Sequence, residues 1–436
     1  MDTLFKNVRI MQTKAPFEVV EGVDVLVKGD KIARIGKNLK SEGAKIIEAK
    51  GKTLMPGNVC SHHHYYSGLS RGMLVNAGPQ TDLIQILREW WWRLDRSLDE
   101  EACYYSSLIS SLDAIAAGTT SVVDHHASPN YIKGSLSTIK KGMEEVGLRG
   151  MTCYEVTDRN GGMSEVEAGV QENIDFATSG TSNMVKAMIG GHAPFTIPDE
   201  GLKLMSEAVK TTGCGIHLHV GEGEYDQIYS HHKYGKDIVA RLEDFDLLHE
   251  NSLLVHGIYL NENEIKTLNE RKCFLAHNPR SNMNNQIGYN NKLSMVDKLI
   301  IGTDGCGGNM FEELKIAFFE NRDEKGTWWP DSFVNAMNRG NDLIETYFDG
   351  SFGQIKEGYK ADLTLLDYKS PTPLVSGNAA GHFVWGMSSN SVHSVMIDGN
   401  LVYDNREFVG LDVDEIYKKA SEVAKRVWEK VDTLAP

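Results

Sequence analysis

At 436 residues the chain is long enough to bury a large core and to contain more than one structural unit. Hydrophobic residues make up 41% and charged residues 24%, as in ordinary globular proteins, and a net charge of -15 without a long basic block argues against nucleic acid as partner. No run approaches the roughly 20 apolar residues of a membrane helix, and the opening MDTLFKNVRIM lacks the basic and apolar regions of a secretory signal.

Residues 1–55 read as strands and turns: LFKNVRIM, VDVLVKG, KIARIG and KIIEAKG alternate β-branched and polar residues and break at glycine or charged turns. The same texture returns at 355–404 in IKEGYKADLTLLDY and SVHSVMIDGNLVYD, so the two ends are expected to join in one small sheet domain. Between them, apolar runs at 56–64, 119–126, 148–155, 184–192, 214–220, 253–257, 272–279 and 298–305 read as eight strands. Helical stretches intervene, as at 101–118, where Leu108, Leu112 and Ile115 recur at helical spacing before Gly118. Such alternation favours a parallel sheet, and eight units favour closure into a (β/α)8 barrel within an α/β chain. An open doubly wound sheet is the structural alternative, but no GxGxxG follows the first strand, which argues against a dinucleotide. The segment 413–431 reads as an amphipathic helix through Ile416, Ala420, Val423, Ala424 and Val427. Six scattered cysteines without a CxxC pair fit reduced thiols and a cytoplasmic protein.

The chemistry is concentrated where these apolar runs meet loops. His62 and His64 follow MPGNVC, His219 ends GIHLH, and Asp304 ends LIIGTD. In a strand, residues i and i+2 share a side, so His62 and His64 converge while His63 faces away. Three imidazoles and a carboxylate from separate strand ends suit one divalent ion, Zn2+ first, with Fe2+ or Mn2+ as alternatives. Such an ion lowers the pKa of bound water. Asp304 can ligate and accept the water proton, His256 at the end of LLVH can hydrogen-bond the water or a developing oxyanion, and Glu222 can carry protons to substrate. Lys186 lies six residues before His192, at the start of its run, so a carbamylated lysine bridging two ions is not expected.

Substrate contacts are expected from His192 in GGHAPFT and from His125 at the end of the second run. Asn278 in the turn HNPRSN, Tyr66 and Arg71 after the first run, and Trp92 join them as rim candidates. Trp90, Trp91 and Trp92 cannot all share one α-helical face, so at least one is expected to cap the pocket. An aromatic, partly polar pocket suits a small nitrogen heterocycle.

Together these residues resemble the amidohydrolase superfamily. The resemblance runs through PGNVCSHHH (56–64), GTTSVVD (118–124), GHAPFT (191–196), HLHVGE (217–222), VHGIYL (255–260), HNPRSNMNNQIG (277–288), GTDG (302–305) and GQIKEGYKADLTLLD (353–367). The motifs point to its cytosine/guanine deaminase and chlorohydrolase branch; LREWWWRLDRSLDEEACYYSS and VVDHHASP are similar to the SsnA-type aminohydrolases. The resemblance implies a TIM-like barrel at 58–351 inserted in a composite β-sandwich domain formed by 1–57 and 352–436. It implies ligands at His62, His64, His219 and Asp304, with Glu222 protonating a ring nitrogen and His256 assisting, and a homodimer or higher homo-oligomer. His63 departs from the small or apolar residue usual between the first two ligands. Deamination of a purine-like heterocycle is the expected reaction. Opening of a cyclic amide or imidazolone is the alternative chemistry, and a structural or regulatory barrel subunit the non-enzymatic one.

Overall fold

The computed structural model describes residues 2–40 and 42–436. The first strands are β1 (Thr3–Met11), β2 (Val19–Lys28), β3 (Lys31–Gly36), β4 (Lys45–Glu48) and β5 (Thr53–Pro56). The middle of the chain contributes β6 (Asn58–His63), β7 (Thr119–Asp124), β8 (Arg149–Thr152), β9 (Val185–Ala187), β10 (Ile189–Gly191), β11 (Ile216–Val220), β12 (Leu253–His256), β13 (Phe274–His277) and β14 (Leu299–Ile301). The last are β15 (Leu363–Leu366), β16 (Val392–Ile397), β17 (Asn400–Asp404) and β18 (Glu407–Phe408).

Strands from both ends of the chain form one nine-stranded sheet in the order β18-β17-β16-β15-β5-β1-β2-β3, with β4 paired to β1. The ends meet at β5 and β15, where Leu363 pairs with Pro56 and Leu366 with Thr53. The alternation seen in sequence has its cause here: Phe5, Val8, Val25, Val27, Leu54, Leu363 and Leu365 bury in one apolar cluster.

The middle strands make an α/β unit with two parallel sheets, β6-β7-β8-β9 and β10-β11-β12-β13-β14. Each of the eight apolar runs contains a strand, and the fourth is divided at Met188, so β9 belongs to one sheet and β10 to the other. At the opposite seam the Thr303 and Asp304 amides both donate to the His62 carbonyl, and His63 forms an isolated parallel bridge with Asp304. Glycine is required at 302 for this approach: a Cβ there would stand 2.4 Å from Asn278 Oδ1 and 2.8 Å from His62 N.

Helices cover the strands. The helix Glu100–Ala116 begins at an Asp99 cap that accepts from the Ala102 amide at 2.9 Å, and it buries Leu108, Leu112 and Ile115. The helix Val413–Thr433 buries Ala420, Val423, Val427 and Val431. It also holds the segment that carries the tryptophans: Trp428 Nε1 donates to the Leu69 carbonyl at 2.8 Å, and buried Arg93 donates to the Val431 carbonyl. Arg149 locks the parallel strands to the terminal sheet through Asp362 at 2.9 Å and Asp398 at 2.8 Å. Among the described residues no helix is long and apolar enough to cross a membrane.

Candidate active site

The carboxyl ends of β6, β11 and β12 and the loop after β14 bring His62, His64, His219, His256 and Asp304 together. All five are buried. His64 Nε2 lies 2.9 Å and His62 Nε2 3.4 Å from Asp304 Oδ1, and His64 Nε2 lies 3.2 Å from His219 Nε2. His256 Nε2 stands 3.9 Å from Asp304 Oδ2 and 3.7 Å from Glu222 Oε2. His63 turns away, its Nδ1 meeting the Asp304 backbone carbonyl. His256 and Asp304 take left-handed backbone conformations, φ 70° and 54°, uncommon for residues with a side chain.

The far nitrogen of each ring is held. His64 Nδ1 donates to the His125 carbonyl at 2.7 Å, His219 Nδ1 to the His192 carbonyl at 2.7 Å, and His256 Nδ1 to Asn282 Oδ1 at 2.9 Å. These bonds fix the tautomer and leave the Nε2 lone pairs aimed inward, as metal-ligating histidines require. His62 Nδ1 meets His217 Nε2 at 2.8 Å, and among the described residues the buried Nε2 atoms of His62 and His256 have no hydrogen-bond partner. Lone pairs converging beside a carboxylate are satisfied by a cation.

The electrostatics agree. Burial opposes charge on His64, yet Asp304 and Glu155 outweigh it and raise its pKa to about 9. Their field favours positive charge at this nitrogen, as a proton or as a metal ion in its place. Burial likewise opposes the Asp304 charge, but His64 and His62 hold it well below the carboxylate range. His219 is driven well below its ordinary value by burial and by neighbouring imidazoles. The donor set therefore fits a divalent metal ion.

A cavity of about 390 Å³ opens on this cluster, lined among others by Tyr66, Trp90, Trp91, Trp92, Glu155, His192 and Glu222. Of the expected substrate contacts, His192, Tyr66 and Trp92 lie there. All three tryptophans reach it, because Leu87–Trp91 forms a π-helical turn whose wider winding spreads consecutive side chains less than an α-helix does. The remaining candidates are placed elsewhere. Arg71 is an exposed partner of Asp113 and lines a separate depression. Asn278 is fully buried outside the cavity wall, and His125 lies beneath it, donating Nε2–H to the Gly191 carbonyl at 3.0 Å.

Sequence reasoning passed over a buried polar wall. Glu155 follows β8, with Oε1 3.3 Å from Arg159 and 3.6 Å from His192 Nε2, and Oε2 3.5 Å from His125 Nδ1. Burial works against its charge, but His192, His125 and Arg159 hold it well below its usual pKa. Arg159 also reaches Asp95 at 3.1 Å and stacks 4.7 Å over Trp92. Burial raises Asp95 to about 7 despite that guanidinium. Ser281, whose hydroxyl donates to Asp304 Oδ2, and Asn285 complete the opposite side. The available signal for Glu155 was its place at the end of a strand, shared with the histidines.

Burial raises the Glu222 pKa above its ordinary value against the pull of His256, so this acid can hold a proton at the cavity edge. The site thus combines inward-facing imidazoles, a buried acid with a raised pKa and an aromatic wall.

The amidohydrolase family model matches residues 53–402. The chain is 29% identical over 98% of its length to a 5-methylthioadenosine/S-adenosylhomocysteine deaminase of Caldanaerobacter subterraneus, covering 99% of that protein. It is 27% identical over 98% of its length to a 5'-deoxyadenosine deaminase of Methanosarcina acetivorans, covering 98% of it. In fold it is similar to a zinc-bound adenosine deaminase from Xanthomonas campestris, with a TM-score of 0.84 at 21% identity and 99% of each chain covered. A zinc complex of an atrazine chlorohydrolase from Arthrobacter aurescens gives 0.82 at 18% identity, covering 97% of this chain and all of that one (100%). The matched span holds every residue of the metal-fitting cluster, and the chain belongs to the amidohydrolase family.

Proposed function

We propose that the chain is a metal-dependent aminohydrolase that replaces an amino group of a purine-like or related nitrogen heterocycle with oxygen from water and releases ammonia. The observation that carries this reading is the placement of Glu222, whose carboxyl lies 3.7 Å from the Nε2 of His256, an imidazole that faces the metal-fitting cluster. Deaminase relatives matched over nearly the whole chain support it.

His62, His64, His219 and Asp304 would hold the ion, Zn2+ in the first instance, as in the zinc-bound structural relative. When bound, it makes water a nucleophile near neutral pH. His256, whose Nδ1–H is held by Asn282, turns Nε2 toward the cluster, where it can hydrogen-bond the attacking water. Glu222 delivers a proton to the ring nitrogen beside the carbon under attack, which lets that nitrogen take up the electron pair. The new C–O bond forms as Asp304 accepts the water proton. That proton passes to the exocyclic nitrogen, the C–N bond breaks with the ring nitrogen returning its electron pair, and ammonia leaves. Tyr66 and the tryptophans supply flat apolar surface for the ring and exclude water around it.

We also read the two parallel sheets as one closed (β/α)8 barrel at 58–351, inserted in a composite domain of 1–57 and 352–436. The run Val185–Gly191 shared between the sheets and the His62 carbonyl seam support that closure. Six free cysteines fit the reducing cytoplasm, and the family resemblance implies a homo-oligomer. Ammonia release from a panel of amino-substituted purines and pyrimidines by metal-loaded enzyme tests the reaction. A new carboxylate without ammonia would instead assign cyclic-amide opening.

A further inference from the structure

Three groups that the proposed reaction uses, Asp304, His256 and Glu222, all draw on one short helix, Pro279–Asn284, and on Asn285 at its end. The Ser281 hydroxyl donates to Asp304 Oδ2, which leaves Oδ1 turned to His62 and His64. Asn282 Oδ1 receives His256 Nδ1–H at 2.9 Å. The Asn285 amide donates to Ser281 Oγ at 3.4 Å, and its side chain stands beside the Glu222 carboxyl. Asn285 follows Ser281 by four positions and Asn282 by three, the spacings that bring helical side chains onto one face. A shift of this helix therefore moves the partners of all three groups together.

The helix is held from behind by an ion pair. Glu313, in the helix Met310–Asp323, is fully buried and grips Arg280 twice. Its Oε1 accepts the Arg280 backbone amide at 3.0 Å, and its Oε2 accepts from Arg280 Nε. The same guanidinium donates from Nη2 to the Gly307 carbonyl at 2.8 Å. Gly307 lies three residues after Asp304 with φ 80°, so one side chain ties the first turn of the helix to the loop that follows the aspartate. The fork geometry of arginine serves both partners at once, which a single ammonium does not. A third contact, to Glu312 at 3.0 Å, is exposed on the acid side and contributes little. Arg280 faces the separate depression beside Arg71, outside the catalytic cavity. We propose that Arg280 and Glu313 are positioning residues: their pair sets the helix Pro279–Asn284 against the Asp304 loop, and so aims Ser281, Asn282 and Asn285 at Asp304, His256 and Glu222. The inference rests on the aminohydrolase reading for the roles of those three groups.

The test uses full-length zinc-loaded enzyme carrying Arg280→Met together with Glu313→Gln. The new side-chain oxygen at 313 still accepts the backbone amide of 280, and no buried charge is stranded, so the urea midpoint should stay near wild type. For ammonia release, kcat should fall about tenfold or more while KM stays within about twofold, because the tryptophan wall is untouched and the reacting groups lose their aim. The peptide spanning 279–287 should exchange its backbone hydrogens faster than in wild type, read by mass spectrometry. Arg280→Lys keeps the charge without the fork; it should show both changes to a smaller degree, and it carries the test if the double variant does not fold. Wild-type kcat or wild-type exchange in a folded variant overturns the proposal, as does a change in KM alone. Native enzyme that releases no ammonia from any ring overturns the aminohydrolase reading instead, and the exchange comparison then decides by itself whether the pair holds the helix.

Discussion

Replacing Asn282 by leucine takes away the acceptor that holds His256. Asn282 is fully buried in the helix Pro279–Asn284, and its Oδ1 receives His256 Nδ1–H at 2.9 Å. Leucine has a similar volume but no acceptor, so a buried N–H is left unpaired at a cost of about 1–3 kcal/mol. The imidazole escapes that cost by moving its hydrogen to Nε2, 3.7 Å from Glu222 and 3.9 Å from Asp304. There the hydrogen turns the water-accepting nitrogen into a donor. Loss of such a supporting bond predicts a fall in kcat/KM of about 10–100-fold, roughly 1.4–2.7 kcal/mol of transition-state stabilisation. On the proposed assignment, in which His256 assists the reaction and the other four residues ligate, zinc content should stay at the wild-type level. Asn282→Asp keeps an acceptor in place and should recover most of the rate. The assay is steady-state ammonia release beside metal analysis of the same preparations. An unchanged kcat/KM in the leucine variant would refute the tautomer argument, and loss of zinc would make His256 a ligand.

Three other expectations follow from the same geometry. His219→Ala should lose bound metal, whereas His63→Ala, whose ring turns away from the cluster, should keep the wild-type stoichiometry; metal analysis after dialysis decides both. Arg149→Met should lower the unfolding free energy by about 3–5 kcal/mol, since it strands buried Asp362, and a urea midpoint equal to wild type would contradict this. Burial raises the pKa of Asp226 from 3.8 to about 7, so the folded state holds this proton more tightly than the unfolded chain does. Its contribution to stability is therefore present at low pH and lost as pH rises through that window. Asp226→Asn, which keeps an oxygen for the Gly221 amide, should remove that part of the decline in urea titrations at pH 5 and 8, and a decline as steep as wild type would count against it.

The sequence made the strand ends legible because two signals coincided there: an apolar run stopped, and a histidine or aspartate stood at the stop. His62, His64, His219, His256 and Asp304 all carry both signals, and the structure gathers all of them. Glu155 carries the same pair in CYE, yet an acid with no spaced partner has no pattern to distinguish it from a solvated loop residue. Arg71 shows the reverse. Its closeness in sequence to His64 suggested the rim, but the 3-10 turn Tyr65–Ser67 and the chain after it lead it outward to Asp113. The tryptophans were read on an α-helical wheel, and the π-helical turn at Leu87–Trp91 changed that geometry. Nothing local in the sequence marks such a turn, since tertiary packing under the helix Val413–Thr433 holds the segment.

The most direct test of the account compares wild type with Glu222→Gln, each with its zinc quantified, for ammonia release from an amino-substituted heterocycle that the wild type consumes. The account predicts equal zinc in both proteins and a rate lowered by about 100-fold or more in the variant, because the proton carrier is gone while the ligands remain. Equal rates would take Glu222 out of the chemistry and contradict the central claim.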